Sequence, residues 1–545
     1  MPEPKTITIT EFGGPLTRRN DGDINSGLAK YDTSWGYDPY SKPGNLTWME
    51  QPVSILSLAG ANSVIGIMKT RVETLTTPGG DVGSGYVYAV SNGSNGRLRR
   101  IQINDTTSSN PNFDTHSVMG AMPIAPSQDR VPGMVFYGST EKIFYGDNGT
   151  SLAKINFDGS SPSTIALTSS VIAAVPRPMI TFLGKIYFGN GNNIGEIDST
   201  ELITTGEKLS PALPEGVFVH DLDVTPDGNY LQIVASKSAP ADFSESPAAG
   251  NGISADSFKF LWNGIDDAAT YFEEYGGVSL TAGQTFGDKN YALGFDPQGT
   301  AIFSQQNKVV TLPNVISPHP TATFSTGNML GFMSPEYVDG ELRGSLFNYG
   351  QFDSDAPAGL FRILRHESTV KTDVPIVNAV VNVSNLLYFP SYSSYTNDAA
   401  TVGKIYFTTK EASADANADS RSILWRFTTV PTGVGSIVAG VYETQTQLFS
   451  KKVKVSEVRV YTEPLIGGND FIVDVIGSGG SVIAGGSQRF GVGTSSMAVG
   501  TDMVQFNPVM APTYAVGVRL TNSSVTGVAN WTATKVEVDY GPAGK

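Results

Sequence analysis

The sequence predicts an all-β protein: a β-propeller of about seven blades, preceded by an extended N-terminal arm and followed by a C-terminal β-sandwich or jelly-roll domain. Three observations point there. Sixty glycines and 32 prolines beside only 16% charged residues describe many short elements joined by turns. One hairpin plan, aromatic and β-branched strand, Asn/Gly turn, second strand, returns along the chain. Beyond about residue 432 that plan gives way to long strands of alternating polarity.

The first 52 residues come first in order and fit neither pattern. After an opening strand at 5–10, the stretch "EFGGPLTRRNDGDINSGLAKYDTSWGYDPYSKPGNLTWMEQP" shows no sustained period. Trp35, Tyr37, Tyr40 and Trp48 are more aromatic surface than an unstructured tail carries. The segment therefore reads as an arm that lies across another surface, an assembly element whose removal leaves the stability of the remaining domains intact. Within it, "NDGDINSGLAKYD" places Asp21, Asp23 and Asn25 at alternating positions, like the start of a calcium loop. Such a loop needs glycine at its sixth position and glutamate at its twelfth. Here the sixth is Ser26 and the twelfth Asp32. Asp21, Asp23 and Asn25 are thus weak metal candidates, and a polar turn is the plainer reading.

The span 53–432 carries the hairpins. "YVYAVSNGSNGRLRRIQINDTTS" (86–108), "KIFYGDNGTSLAKINFDGSS" (142–161), "KIYFGNGNNIGEIDSTEL" (185–202) and "GKIYFTTKEASADANADSRSILWRFTT" (403–429) share one plan. "DLDVTPDGNYLQIVAS" (221–236) and "LGFDPQGTAIFSQ" (293–305) set Pro two residues before Gly, a turn in which proline presets φ and glycine accepts a positive one. Further pairs fall at 258–262 with 269–275, 342–348 with 359–365, and 376–382 with 385–389. About 40–60 residues per sheet-sized unit is the spacing of propeller blades, which stack because none buries both faces alone. Seven blades fit, against six or eight, and a pair of β-sandwiches is the competing fold.

The last span, 433–545, contains "KKVKVSEVRVYTEPL", "DFIVDVIGSGG", "YAVGVRLTN" and "WTATKVEVDYG". Strict alternation in "VKVSEVRVY" and "TKVEVDY" predicts one buried and one wet face, as in an antiparallel sandwich.

Chemistry is sparse. With no cysteine, the chain has no disulfide, thiolate zinc site or cysteine nucleophile. No Gly-x-Ser-x-Gly, His-Glu-x-x-His or phosphate-loop motif occurs, and "GNGNNIG" (189–195) fits a turn better than a dinucleotide fingerprint. His220 with Asp221 and Asp223 is the best acid–base trio, but period-2 geometry sets His220 and Asp223 on opposite faces, and a solvated strand end is the bland alternative. A propeller glycosidase would need paired carboxylates, for which Asp223, Asp296, Glu273 and Glu274 are candidates on residue type alone. No catalytic residue, cofactor or firm metal site is expected, and the protein reads as a non-enzyme. A net charge of −15 opposes a basic nucleic-acid surface or binding to an anionic membrane. No apolar run of membrane-spanning length and no signal-peptide pattern is seen, so no membrane insertion is expected.

Gly13-Gly14, a polar Asn-bearing stretch, then Gly44-Asn45-Leu46 and Pro52 leading into β structure resembles the N-terminal segment of the tubular tail, or nozzle, proteins of short-tailed bacteriophages. The resemblance covers residues 11 to 55 and otherwise the order of architectures. It implies a virion structural protein of the tail, a homo-oligomeric ring of six copies in contact with portal, adaptor and other tail proteins, through which viral DNA passes without specific binding during genome ejection. Acidity is compatible with such a conduit, because each Lys/Arg–phosphate contact would slow passage. The alternatives from other classes are a glycan-binding or glycan-cleaving propeller protein and a tail-tip, host-recognition protein.

Overall fold

The computed structural model describes residues 5–12, 31–35, 37–38, 44–48, the strands between 51 and 156, residues 161–237 except 173, 174 and 176, residues 256–276 except 270, the strands between 279 and 428, and 441–543 except 466–469, 492–497 and 523–530. Their regular elements are strands, with one short 3-10 turn at Ser478–Gly480. The chain divides into two compact units, one of 54–358 with 379–426, the other of 1–53, 359–378 and 427–545.

Five strands open the chain: β1 (Lys5–Ile9), β2 (Tyr31–Trp35), β3 (Tyr37–Asp38), β4 (Thr47–Trp48) and β5 (Gln51–Leu58). Seven four-stranded antiparallel sheets follow. The first holds β6–β9 (64–121). The second holds β10 (Met134–Tyr137), β11 (Lys142–Asp147), β12 (Ser151–Asn156) and β13 (Ser163–Ala166). The third holds β14 (Met179–Phe182), β15 (Lys185–Asn190), β16 (Asn193–Ile197) and β17 (Ile203–Thr205), and the fourth β18 (Phe218–Val224), β19 (Leu231–Ser236), β20 (Asp256–Trp262) and β21 (Tyr271–Gly276). The fifth begins with β22 (Ser279–Phe286) and β23 (Lys289–Phe295) and ends with β24 and β25 (301–311); the sixth is β26–β29 (330–372). The seventh joins β30 (Val381–Phe389), β31 (Lys404–Glu411) and β32 (Ser422–Thr428) to β5, so the strand that opens the propeller in sequence completes its last blade. This is a seven-bladed β-propeller.

The expected hairpin of 376–382 with 385–389 is corrected. Residues 381–389 form one strand, β30, whose register against β31 slips between Val383 and Asn385. Ser384 is an inserted bulge residue, and Val-Ser-Asn mimics a turn because bulges and turns favour the same small polar residues.

The Pro-x-Gly turn at 225–230 shows why these hairpins close. Gly228 takes φ +71, and Asp227 Oδ1 accepts the Thr225 hydroxyl at 2.6 Å and the Asn229 N–H at 3.1 Å. Between the third and fourth sheets the core gathers Phe182, Tyr187 and Ile194 with Leu222, Ile233, Phe258, Phe260 and Trp262. Tyr187 meets Trp262 edge to face at 5.2 Å. Burial of each large side chain stabilises the pair of sheets by about 2 kcal/mol.

The last strands are β33 (Val441–Thr444), β34 (Gln447–Thr462), β35 (Asp470–Ile476), β36 (Val482–Gly491), β37 (Met503–Phe506), β38 (Thr513–Asn522) and β39 (Ala533–Pro542). Together with β1 and β2 they form a nine-stranded arrangement in which β38 pairs β34 at one end and β33 and β35 along the rest. Val455, Val458, Val460, Phe471, Val473, Leu520, Trp531 and Val536 fill the core. The alternation predicted for 453–461 is broken once: Val453 and Val455 are buried, then Val458 and Val460, because the register slips between Val455 and Glu457. Ser456 at the slip donates its hydroxyl to Asp539 O at 3.1 Å.

The N-terminal segment also departs from expectation. β1 pairs β39 over Lys5↔Tyr540 to Ile9↔Val536, β2 pairs β33, and Leu46 bridges Ala533. Ile7, Ile9, Phe12, Tyr37 and Leu46 are buried. β1, β2 and Leu46 are thus built into the C-terminal unit of their own chain as integral portions of the sandwich, while Gln51 and Pro52 open β5 of the seventh blade.

Candidate functional site: the buried polar face of the fourth blade

Strand β18 carries the one acid–base trio that the sequence singles out. Its register against β19 slips between Val219 and Asp221, leaving His220 as the additional residue. That bulge explains why Val219 and Leu222, three apart, both enter the apolar core shared with the third sheet. The simple alternation that set His220 and Asp223 on opposite faces therefore does not hold through this strand. Nor is this a solvated strand end, since His220 is 3% exposed.

The other face of the sheet follows from register. Asp221 stands opposite Val234, Val234 opposite Lys259, and Lys259 opposite Glu273. The adjacent row runs from Asp223 to Gln232. Paired residues of an antiparallel sheet share a face, so one face is apolar and the other carries Asp221, Asp223, Gln232, Lys259 and Glu273. Gln232 and Lys259 are almost completely buried.

This polar face meets the fifth sheet. Asp221 Oδ2 accepts the Gly283 N–H of β22 at 2.7 Å, and Asp221 Oδ1 accepts the Leu222 N–H at 2.9 Å. Ser257 Oγ accepts the Leu280 N–H at 2.8 Å. The two β22 donors flank a register slip between Leu280 and Ala282, where the strand has backbone groups to satisfy outside its own ladder. Val234, Tyr275, Leu280 and Ala292 pack beside them.

Burial pushes the Asp221 carboxyl up to about 7, helped by the Asp223 charge and opposed by the Gly283 and Leu222 N–H groups. Burial also pulls the Lys259 ammonium down to about 8, against the neighbouring Glu273. Lys259 Nζ lies 3.9 Å from Glu273 Oε2 and 5.2 Å from the Tyr275 ring centroid, while the Tyr275 hydroxyl donates to Glu273 Oε2 at 2.6 Å. These groups hold strands and blades together, which is what their hydrogen bonds are directed at.

Two further polar knots escaped the sequence reading. Asn190 Oδ1 accepts the Ile172 N–H at 2.8 Å and Arg177 Nη1 at 2.9 Å, while its Nδ2 donates to Ser170 O at 2.9 Å and Gly206 O at 2.7 Å. Arg177, fully buried, also donates to the Gly189 and Ile172 carbonyls. The only sequence signal was the Asn/Gly run of 189–195, which reads as a turn and does turn, at Gly191 with φ +63. Glu201, in the turn before β17, receives Lys142 of β11 at 2.8 Å and Lys154 of β12 at 2.9 Å, clamping the second sheet to the third.

Of the remaining candidates, Tyr37 is wholly buried and stacks edge-on against Trp531 at 5.6 Å, so it anchors its own sandwich and is not an aromatic offered to a neighbour. Trp35 lies in β2 opposite Val441, and Trp48 in β4 opposite Tyr37. Tyr40, Asp21, Asp23, Asn25 and Asp296 lie outside the described residues. Glu274 is exposed and Glu273 is taken up with Lys259 and Tyr275. Among the described residues no group of three or more His, Asp or Glu is placed to hold a metal ion, and no helix is long and apolar enough to cross a membrane.

No known protein family and no curated protein matches the chain. Among solved structures it is similar to YCF48 bound to a D1 peptide (14% identity, 71% of this chain and 97% of that one, TM-score 0.39). It is also similar to the WD40 β-propeller domain of Doa1 (10%, 70% and 99%, TM-score 0.39). A third is the β-propeller domain of Myceliophteria thermophila Cps50, or Swd1 (8%, 69% and 100%, TM-score 0.39).

Proposed function

We propose that this protein is a structural component of a short-tailed bacteriophage virion, a nozzle-like tail subunit. In this reading, copies assemble into a ring, six in number, against the portal, the adaptor and other tail proteins, and viral DNA passes along the axis during ejection. The protein is not an enzyme. The observation that carries the reading is the order of architecture: an N-terminal segment, seven four-stranded blades, then a β-sandwich, the order that the resemblance of residues 11–55 implies.

One feature supports it: the perturbed ionisable groups, Asp221, Lys259 and Glu201, are directed at neighbouring strands and blades, the use a scaffold makes of them. A charge of −15 per copy is compatible with such a channel and is not itself evidence for one.

Electron microscopy of the purified full chain, with and without linear duplex DNA, tests the reading. Expected are rings with an open axis, no saturable DNA binding at physiological salt, and no turnover on a polysaccharide panel. Polysaccharide turnover that disappears in Asp223→Ala would establish a propeller enzyme instead.

A further inference from the structure

We infer that one rim of the C-terminal sandwich is a binding surface for acidic polysaccharide, built from Lys451, Lys452 and Lys454 of β34 beside Tyr514 of β38 and the Phe449–Tyr540 pair. The inference goes beyond the tail-protein reading and does not depend on it.

The charge pattern singles out this rim. Residues 441–543 contain seven Lys and Arg, in a chain of net charge −15. Four of them meet carboxylates: Arg459 holds Asp539 at 2.8 Å, Lys535 holds Glu537 at 2.9 Å, Arg489 pairs Asp470 and Arg519 pairs Glu443. Lys451, Lys452 and Lys454 are exposed and have no carboxylate partner among the described residues. A basic stretch left unneutralised in an acidic protein is free to meet an anion from outside.

Register brings aromatic surface to the same place. Leu448 stands opposite Ala515 and Val453 opposite Thr513, so five steps along β34 answer two along β38. Such an excursion re-aims side chains. Within it Phe449 meets Tyr540 of β39 at 4.9 Å between ring centroids, and Lys452 Nζ lies 5.5 Å from the centroid of the Tyr514 ring. Tyr514 is nevertheless 55% exposed, and Leu448 is 40% exposed. Tyr540 stands opposite Val455 on one side and Lys5 of β1 on the other, which adds a fourth exposed lysine to this rim.

The ligand class follows from what the surface offers and what borders it. Ammonium groups attract carboxylate, sulfate or phosphate, and an exposed tyrosine face takes the C–H face of a sugar ring. Further along β34 and β39, Glu457, Glu537 and Asp539 outnumber the Arg459 and Lys535 that hold them. A nucleic acid, charged at every nucleotide, would run from the rim onto those carboxylates. An acidic glycan has neutral ring faces between its charges and places the charged groups on the lysines alone.

Biolayer interferometry of the full-length protein on immobilised alginate, polygalacturonate and neutral dextran tests this. Expected is saturable binding to the two acidic polymers, weakened tenfold or more when salt rises from about 50 to about 500 mM, and none to dextran. Lys452→Ala and Lys454→Ala should each weaken binding fivefold or more, as should Tyr514→Ala, with unfolding midpoints unchanged because all three side chains are exposed. Lys535→Ala, the same loss of charge at an ion-paired position, should change binding less than twofold. Absence of saturable binding to both acidic polymers overturns the proposal, as does equal affinity for dextran. Weakening by Lys535→Ala as large as that by Lys452→Ala, or tighter binding of a single-stranded oligonucleotide than of either acidic polymer, overturns it too.

Discussion

At the scale of single residues, Gly195 shows how tightly the third blade is specified. It sits directly opposite Phe188, and a Cβ there would lie 2.1 Å from the ring. Phe188 is wholly buried among Phe144, Leu152 and Ile197, so it has nowhere to retreat. Gly195→Ala is expected to cost about 2–3 kcal/mol and lower the melting temperature by several degrees. Gly184→Ala, at φ +74 with open space around it, should cost only the backbone strain, about 1 kcal/mol. Thermal denaturation that ranks the two the other way would contradict this packing. Asn190→Ala removes both ends of a buried network and is expected to cost about 2–4 kcal/mol by the same measurement. The turns around these residues were legible in the sequence, because Gly and Asn have few other reasons to cluster. The bulges were not. Nothing in the residue types marks His220 or Ser384 as additional; only the partner strand decides that. At Ser456 the switch of valines from odd to even positions stood in the sequence itself, and the strict-alternation reading passed over it.

At the scale of elements, β1 is the clearest case of order invisible to local patterning. Its partner β39 lies at the other end of the chain, as the 2.6 Å hydrogen bond from Thr6 to Asp539 across 533 residues illustrates. No window of sequence shows such a pairing, which is why 1–52 reads as a free arm. Deleting residues 1–12 removes buried Ile7, Ile9 and Phe12, whose combined burial is worth up to about 4–6 kcal/mol, so the truncated protein should lose stability in its C-terminal unit. An unchanged unfolding midpoint would restore the arm as a dispensable appendage. Because the chain has no cysteine, Thr6→Cys with Asp539→Cys supplies a clean reporter. Oxidation should close an intramolecular disulfide, visible as a faster-migrating monomer on a non-reducing gel. A ladder of covalent multimers would show instead that β1 pairs between copies.

At the scale of the whole molecule, the hairpin plan revealed the propeller because each blade repeats a local unit, and the seventh blade needed one strand, β5, from the far side of the repeat. The proposed function rests on assembly, which repetition within one chain does not reveal. The most direct measurement is native mass spectrometry of the full-length protein as purified, at concentrations spanning about 1–50 µM. The proposed tail ring predicts a discrete species of six chains, each of 57.8 kDa, that persists across that range. A single chain of 57.8 kDa at every concentration would contradict it.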